Sequence, residues 1–176
     1  ITIDSSTMVN KGLDVMEAKW LFGVEMEQVQ VVVQPQSIIH SMVEFEDGAV
    51  MAQLGAPDMK LPIQYALYYP QRRYLPGKRL DFTKIENISF ATPDPEVFRG
   101  LLLAYDSGKR GGSMPTVYNA ANEYAVAAFL ERKISYLTIV EMIESAMEHH
   151  RFVEQPGVEE ILAAERETYE YLESRW

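Results

Sequence analysis

Apolar positions along this chain follow two rhythms. Near the beginning, Val9, Leu13, Met16 and Trp20 recur at spacings of 4, 3 and 4, which predicts an amphipathic helix ending at about Phe22. Asp4-Ser5-Ser6-Thr7 supplies helix-starting residues, and Gly23 supplies a stop. Ile1–Ile3 reads as the end of a strand. Val29–Val33 is a β-branched run that predicts a buried strand, broken by Gln34-Pro35-Gln36. Ile38–Phe45 and Ala49–Leu54 flank Glu46-Asp47-Gly48, and Asp-Gly between two such runs predicts a hairpin. A short helix is expected over Leu61–Tyr69.

Residues 70–94 contain Pro70, Pro76, Gly77 and Pro93 with little periodicity, so a long, irregular linker is expected there. From there the rhythm is helical to the end. Asp94-Pro95 pairs an N-cap with proline at the first helical position, predicting a helix to about Asp106. Ser107–Ser113 reads as a glycine-rich loop. Pro115 opens a helix to about Arg132, with Val117, Ala121, Ala125 and Ala128 on one side. Ser135 or Thr138 opens the next, with Val140, Ile143 and Met147 inward. Gly157 precedes the last, along which Val158, Leu162, Tyr169, Leu172 and Trp176 align. The class is therefore α+β: an α/β-type piece with a mixed sheet and hairpin over residues 1–69, a linker over 70–94, and a four-helix bundle over 95–176.

Composition narrows the function classes. The chain has no cysteine, which excludes disulfides and thiolate chemistry. No apolar run approaches the roughly 20 residues of a membrane helix, and no secretory leader is recognised, so a cytoplasmic protein without membrane partners is expected. Net charge is −10, with the acidic excess concentrated beyond residue 94. Such a surface argues against binding the phosphate backbone of nucleic acid. No glycine-rich phosphate loop of the dinucleotide or nucleotide-triphosphate kind occurs. Ile1-Thr2-Ile3-Asp4 opens as though inside an element, so the chain is expected to be a piece of a larger protein.

Ser5-Ser6-Thr7, with Asn10 and Lys11 one turn further on, is the best candidate site. Hydroxyls, an amide and an ammonium at a helix start suit a phosphate; the same residues also serve as ordinary caps beside a solvated lysine. Asn10, Asp14 and Glu17 share one helix face, and a carboxylate there suits a hard divalent cation. A solvated polar face fits them equally. His40 reads as a hydrogen-bonded structural histidine, and His149-His150 as cations at a helix end. Pro57-Asp58-Met59 is a loop that could touch a ligand, or a turn with a gap-filling methionine. Asn119-Ala120-Ala121-Asn122-Glu123 reads as small residues for close helix packing, with caps and surface polar residues.

Five strings carry a resemblance: Thr2-Ile3-Asp4-Ser5-Ser6-Thr7-Met8-Val9-Asn10-Lys11-Gly12-Leu13, Pro35-Gln36-Ser37-Ile38-Ile39-His40-Ser41-Met42-Val43, Leu54-Gly55-Ala56-Pro57-Asp58-Met59, Leu80-Asp81-Phe82, and Asn119–Glu123. In this order and spacing the chain resembles the C-terminal part of the 1-deoxy-D-xylulose 5-phosphate reductoisomerases. The resemblance covers essentially all 176 residues. It implies an NADPH-dependent enzyme of non-mevalonate isoprenoid biosynthesis. Such an enzyme needs a divalent cation (Mg²⁺, Mn²⁺ or Co²⁺), acts on a sugar phosphate and works as a homodimer. It implies Ser5, Asn10 and Lys11 as substrate-binding residues. Asp14 is implied as metal and substrate ligand, Lys11 and Asp14 as the catalytic pair, and Met59 as a neighbour of the nicotinamide.

Two positions depart from the family. Asp14 stands where glutamate is usual, one methylene shorter, and Gln34 stands where many members have histidine. The other acidic metal ligands, the flap and the NADPH domain would precede Ile1, so the chain alone is expected to be inactive. The alternatives are a catalytically silent dimerisation module and a paralogue acting on another sugar phosphate.

Overall fold

The computed structural model describes residues 1–176. Helices α1 (Thr2–Ser6) and α2 (Val9–Phe22) come first, followed by a 3₁₀ turn at Met26–Gln28. Strands β1 (Ile39–Glu44) and β2 (Val50–Leu54) then lead to α3 (Lys60–Tyr68) and a second 3₁₀ turn at Phe82–Lys84. Helices α4 (Arg99–Arg110), α5 (Met114–Leu130), α6 (Thr138–His149) and α7 (Val158–Arg175) complete the chain. The expected α+β class and C-terminal helical bundle hold. No helix is long and apolar enough to cross a membrane.

The chain forms two compact units. One joins Ile1–Val31 to Pro93–Trp176, and the other is Val32–Thr92. The first unit is discontinuous in sequence because α2 packs directly on α4 and so joins the bundle. The contact depends on a missing side chain. A Cβ on Gly12 would lie 2.3 Å from the Ala104 Cβ, so only glycine lets the two helices approach so closely. Val9, Val15, Met16, Tyr118, Ile139, Met142, Ile143 and Leu172 fill the core of this unit.

The buried face of α2 is Val9, Gly12, Val15 and Met16. It is rotated from the expected stripe and leaves Trp20 78% exposed. Helix α7 shifts likewise. It buries Ala164, Thr168 and Leu172, while Val158, Leu162 and Trp176 are exposed.

Besides the start of α4, which lies at Arg99 rather than at Asp94-Pro95, three expected elements differ. Ile1–Ile3 lead into helix α1 rather than ending a strand. Val29–Val33 makes no strand: its β-branched residues favour extended backbone, but Val33 pairs only at one isolated bridge, with Ala91. The glycine-rich loop is largely helix, since α4 continues to Arg110. Gly108 serves packing there, because a Cβ on it would press on the Met26 thioether at 2.4–2.7 Å.

In Val32–Thr92 the hairpin is as expected. Strands β1 and β2 pair antiparallel, with Val43 opposite Met51. The turn is closed by the Phe45 N–H donating to the Ala49 carbonyl at 2.9 Å, and Gly48 takes φ +82°, which glycine adopts without strain.

Candidate functional site

The N-terminal segment places the phosphate candidates on two consecutive helices. Ser5 lies exposed within α1. Thr7 is buried at the junction. Its hydroxyl lies 3.2 Å from the Asp4 carbonyl and 3.4 Å from the Val9 N–H, so it bridges the end of α1 to the start of α2. Met8, between the helices, adopts φ +59°, a left-handed conformation that a side-chain-bearing residue rarely takes. This turn redirects the chain so that α2 begins afresh. In the first turn of α2 the Gly12 N–H bonds the Met8 carbonyl at 3.0 Å. The preceding N–H groups of Asn10 and Lys11 have no intrahelical acceptor, as at any helix start. Partial positive charge and free donors thus collect beside the Lys11 ammonium.

Lys11 and Asp14 meet. The Lys11 Nζ donates to Asp14 Oδ2 at 2.6 Å, with side chains 49% and 44% exposed. Asn10 is half-buried on the same helix, and Glu17 is exposed one turn beyond Asp14. Ser5 makes no direct bond to Asn10 or Lys11. Met59 belongs to the other compact unit, immediately before α3, and is 71% exposed. Gln34 caps a turn in that unit: its Oε1 accepts from the Ile38 N–H at 2.7 Å. His40 Nε2 pairs with the Gly55 carbonyl at 3.1 Å, the structural role its sequence context suggests.

No group of three or more His, Asp or Glu side chains is arranged to hold a metal ion. Asp14 fits a hard cation as a single carboxylate donor and goes no further, because six oxygen ligands are the usual demand of Mg²⁺. These 176 residues therefore do not form a complete metal centre.

The bonding roles of three residues in this region escape a reading of the sequence. Asn122 of α5 is 4% exposed and donates through Nδ2 to Asp4 Oδ1 at 2.8 Å. The hydroxyl of Tyr136, between α5 and α6, donates to Ser6 Oγ at 3.0 Å. Asp4 receives the first of these bonds. The available signal was a lone asparagine amid small apolar residues on a buried helix face. Nearby, burial pushes the Tyr118 phenol well above its ordinary pKa, and Asp4 adds to the shift. Tyr118 stays a neutral donor to the Gly100 carbonyl at 2.9 Å.

Comparison with known proteins decides the family. A model of the DXP reductoisomerase C-terminal domain matches residues 54–171. A second, of the 1-deoxy-D-xylulose 5-phosphate reductoisomerase C-terminal domain, matches residues 1–22. The chain belongs to the 1-deoxy-D-xylulose 5-phosphate reductoisomerase family. It is 64% identical over its whole length to the reductoisomerase of Lachnospira eligens, of which it covers 46%. It is 63% identical over 174 residues to that of Lachnoclostridium phytofermentans, covering 98% of this chain and 45% of the relative. The reductoisomerase structure from Zymomonas mobilis in complex with NADPH superposes with a TM-score of 0.92 at 45% identity. That match covers 99% of this chain and 46% of that one. A reductoisomerase in complex with NADPH, fosmidomycin and magnesium gives 0.91 at 38% identity, covering 99% and 45%. The chain thus spans about half the length of the curated relatives it matches.

Proposed function

We propose that this chain is part of an NADPH- and divalent-metal-dependent reductoisomerase that converts 1-deoxy-D-xylulose 5-phosphate to 2-C-methyl-D-erythritol 4-phosphate in isoprenoid biosynthesis. The observation that carries the proposal is the opening of α2, where Asn10, Lys11 and Asp14 share a turn and a half of helix beside Ser5. This surface lies in a chain 64% identical to a curated member of the family.

Ser5, Asn10 and Lys11 hold the phosphate of the substrate through a hydroxyl, an amide, an ammonium and the free N–H groups of α2. Binding the phosphate away from the reacting carbons fixes their position. Lys11 and Asp14 neutralise one another while the site is empty. A half-exposed pair of this kind contributes only about 0–1 kcal/mol, so an arriving phosphate readily draws Lys11 away. Asp14 is then free to offer one carboxylate oxygen to the cation, whose other ligands come from the rest of the full-length protein. The bound metal supplies Lewis-acid polarisation of the substrate carbonyl. Met59 packs near the nicotinamide. In domain terms, residues 1–69 serve the catalytic domain, residues 95–176 the helical domain, and 70–94 link them. The full protein acts as a cytoplasmic homodimer, and the exposed apolar side chains of the β1–β2 hairpin support a subunit contact there.

Kinetics of the full-length enzyme test the reading. Asp14→Asn should raise the metal concentration needed for activity steeply, Asp14→Glu should be tolerated, and Glu17→Gln should be nearly silent. If Glu17→Gln abolishes activity while Asp14→Asn does not, the metal ligand lies one turn further along α2. Lys11→Ala and Asn10→Ala should each weaken substrate binding by about 1.5–3 kcal/mol, as for a charged hydrogen bond. The 176-residue chain alone should not oxidise NADPH with this substrate.

A further inference from the structure

No residue of helix α1 is fully buried. Besides the Thr7 bridge to α2 and the packing of Ile3 against the core, two bonds from the bundle hold the turn that carries the Ser5 hydroxyl. Asn122 grips Asp4 on one side of Ser5 (2.8 Å) and Tyr136 grips Ser6 on the other (3.0 Å). The proton directions are determined. A carboxylate only accepts, so Asn122 must donate through Nδ2. Ser6 Oγ already donates its proton to the Ile3 carbonyl at 2.7 Å, so Tyr136 is the donor in its bond. The Tyr136 ring is itself held edge-on to Phe129, with ring centroids 5.9 Å apart.

Asn122 has a further feature that packing alone does not account for. Its Oδ1 is buried and has no hydrogen-bond partner. A buried orphan acceptor is destabilising, and an apolar side chain of similar shape would avoid it. An asparagine at this place is explained by what its other end does, which is to hold Asp4.

We infer that Asn122 and Tyr136 are positioning residues of the phosphate subsite, clamping the Asp4–Ser6 turn so that the Ser5 hydroxyl is set before the substrate arrives. The inference rests on the assignment of Ser5 to phosphate binding made above. It gives α5 and the segment before α6 a part in substrate recognition without either touching the substrate.

The test uses the full-length enzyme, with KM for 1-deoxy-D-xylulose 5-phosphate, kcat, and competitive inhibition by inorganic phosphate as readouts. Asn122→Asp keeps the shape but sets carboxylate against carboxylate. It should raise KM and the phosphate inhibition constant together, roughly tenfold, the scale of one lost hydrogen bond to a charged group, while kcat changes little. The double variant Asp4→Asn with Asn122→Asp restores a donor–acceptor pair with its ends exchanged and should recover both constants. Tyr136→Phe removes one surface hydroxyl and keeps the ring, so it reports even if the Asn122 variant fails to fold. It should raise both constants by a smaller factor.

A fall in kcat with KM and phosphate inhibition unchanged would overturn the inference, since it would indicate mere loss of structure. Ser5→Ala, run alongside, separates the two levels. If Ser5→Ala moves both constants while the Asn122 and Tyr136 variants leave them at the wild-type value, the inference alone fails. If Ser5→Ala leaves them unmoved, the phosphate assignment and the inference fail together.

Discussion

The two compact units spend their apolar residues in opposite ways. In the helical unit they face one another, and Tyr118, Met142, Ile143 and Leu172 are sealed from solvent. In Val32–Thr92, Ile38 is the only buried hydrophobic side chain, while Val43 and Met51 stand 56% and 67% exposed. Order in the second unit comes from turns and from side chains that bond across it. Gln36 Nε2 reaches Asn87 Oδ1 at 3.1 Å and Ser89 Oγ at 2.9 Å. A two-stranded hairpin with no covered face is marginal by itself. The contrast teaches that regular hydrogen bonding and stability are separate properties. The hairpin has the first, and the bundle has both.

The sharpest way to break this contrast is to empty the bundle. Ile143→Ala should cost about 2–5 kcal/mol, the range for a large core side chain leaving a cavity, read from the denaturant midpoint of unfolding. A loss below about 1 kcal/mol would mean that the core is looser than its burial implies. Next comes Gly12→Ala. The added methyl collides with Ala104 across the α2–α4 contact, and overpacking of this kind costs about 1–3 kcal/mol. The same substitution at Gly77, where nothing lies within 4 Å, meets no steric obstacle of this kind, although its φ of +144° disfavours a side chain. Comparison of the two thus separates collision from backbone preference.

A smaller effect concerns pH. His150 Nε2 lies 2.7 Å from Ser113 Oγ, which also accepts from the Val153 N–H at 3.0 Å. Burial holds the pKa of His150 below its ordinary value, with Arg110 and His149 acting in the same direction and Glu167 opposing. The neutral form is therefore favoured by folding. Its contribution is complete above the unfolded pKa of about 6.5 and is lost as pH falls below that value towards the lower folded one. Thermal melting from pH 7.5 to 5.5 should show a drop that His150→Gln reduces. The smallest effect is expected in the hairpin. Val43→Ser and Met51→Ser should change the stability of a monomer by under about 0.5 kcal/mol, yet both should weaken self-association, as light scattering would detect. A large stability loss without any change in association would count against a subunit contact there.

What could be read from the sequence follows the same division. Asp47-Gly48 announced its turn because the signal is local: only a few residues decide the backbone there. Asp94-Pro95 was equally local, and its signal is genuine. Asp94 Oδ1 accepts from the Glu96 N–H at 2.9 Å, and the Phe98 N–H returns to the Asp94 carbonyl. The turn does not run on into a helix because Phe98, at ψ +57°, breaks it before α4 begins. The buried face of α2 was misjudged for a non-local reason. Spacing alone made Trp20 part of the stripe, whereas the contact with α4 selects Gly12, a residue that hydrophobic pattern cannot register. In the candidate site, Lys11 and Asp14 were legible as neighbours because they lie one helical turn apart. Asn122 and Tyr136 were not, since they reach Asp4 and Ser6 from more than a hundred residues away.

The Gly12–Ala104 contact also has a consequence for how the molecule opens. A helix seated this closely cannot lift from its neighbour by small adjustments, because no side chain between them can yield. Amide hydrogens in the middle of α2 should then exchange with deuterium only when the helical unit unfolds as a whole, while those of β1 and β2 exchange through local opening. Asn10 and Lys11, at the start of α2, would thus be anchored to a slowly exchanging helix body, a rigid anvil in a chain whose hairpin breathes.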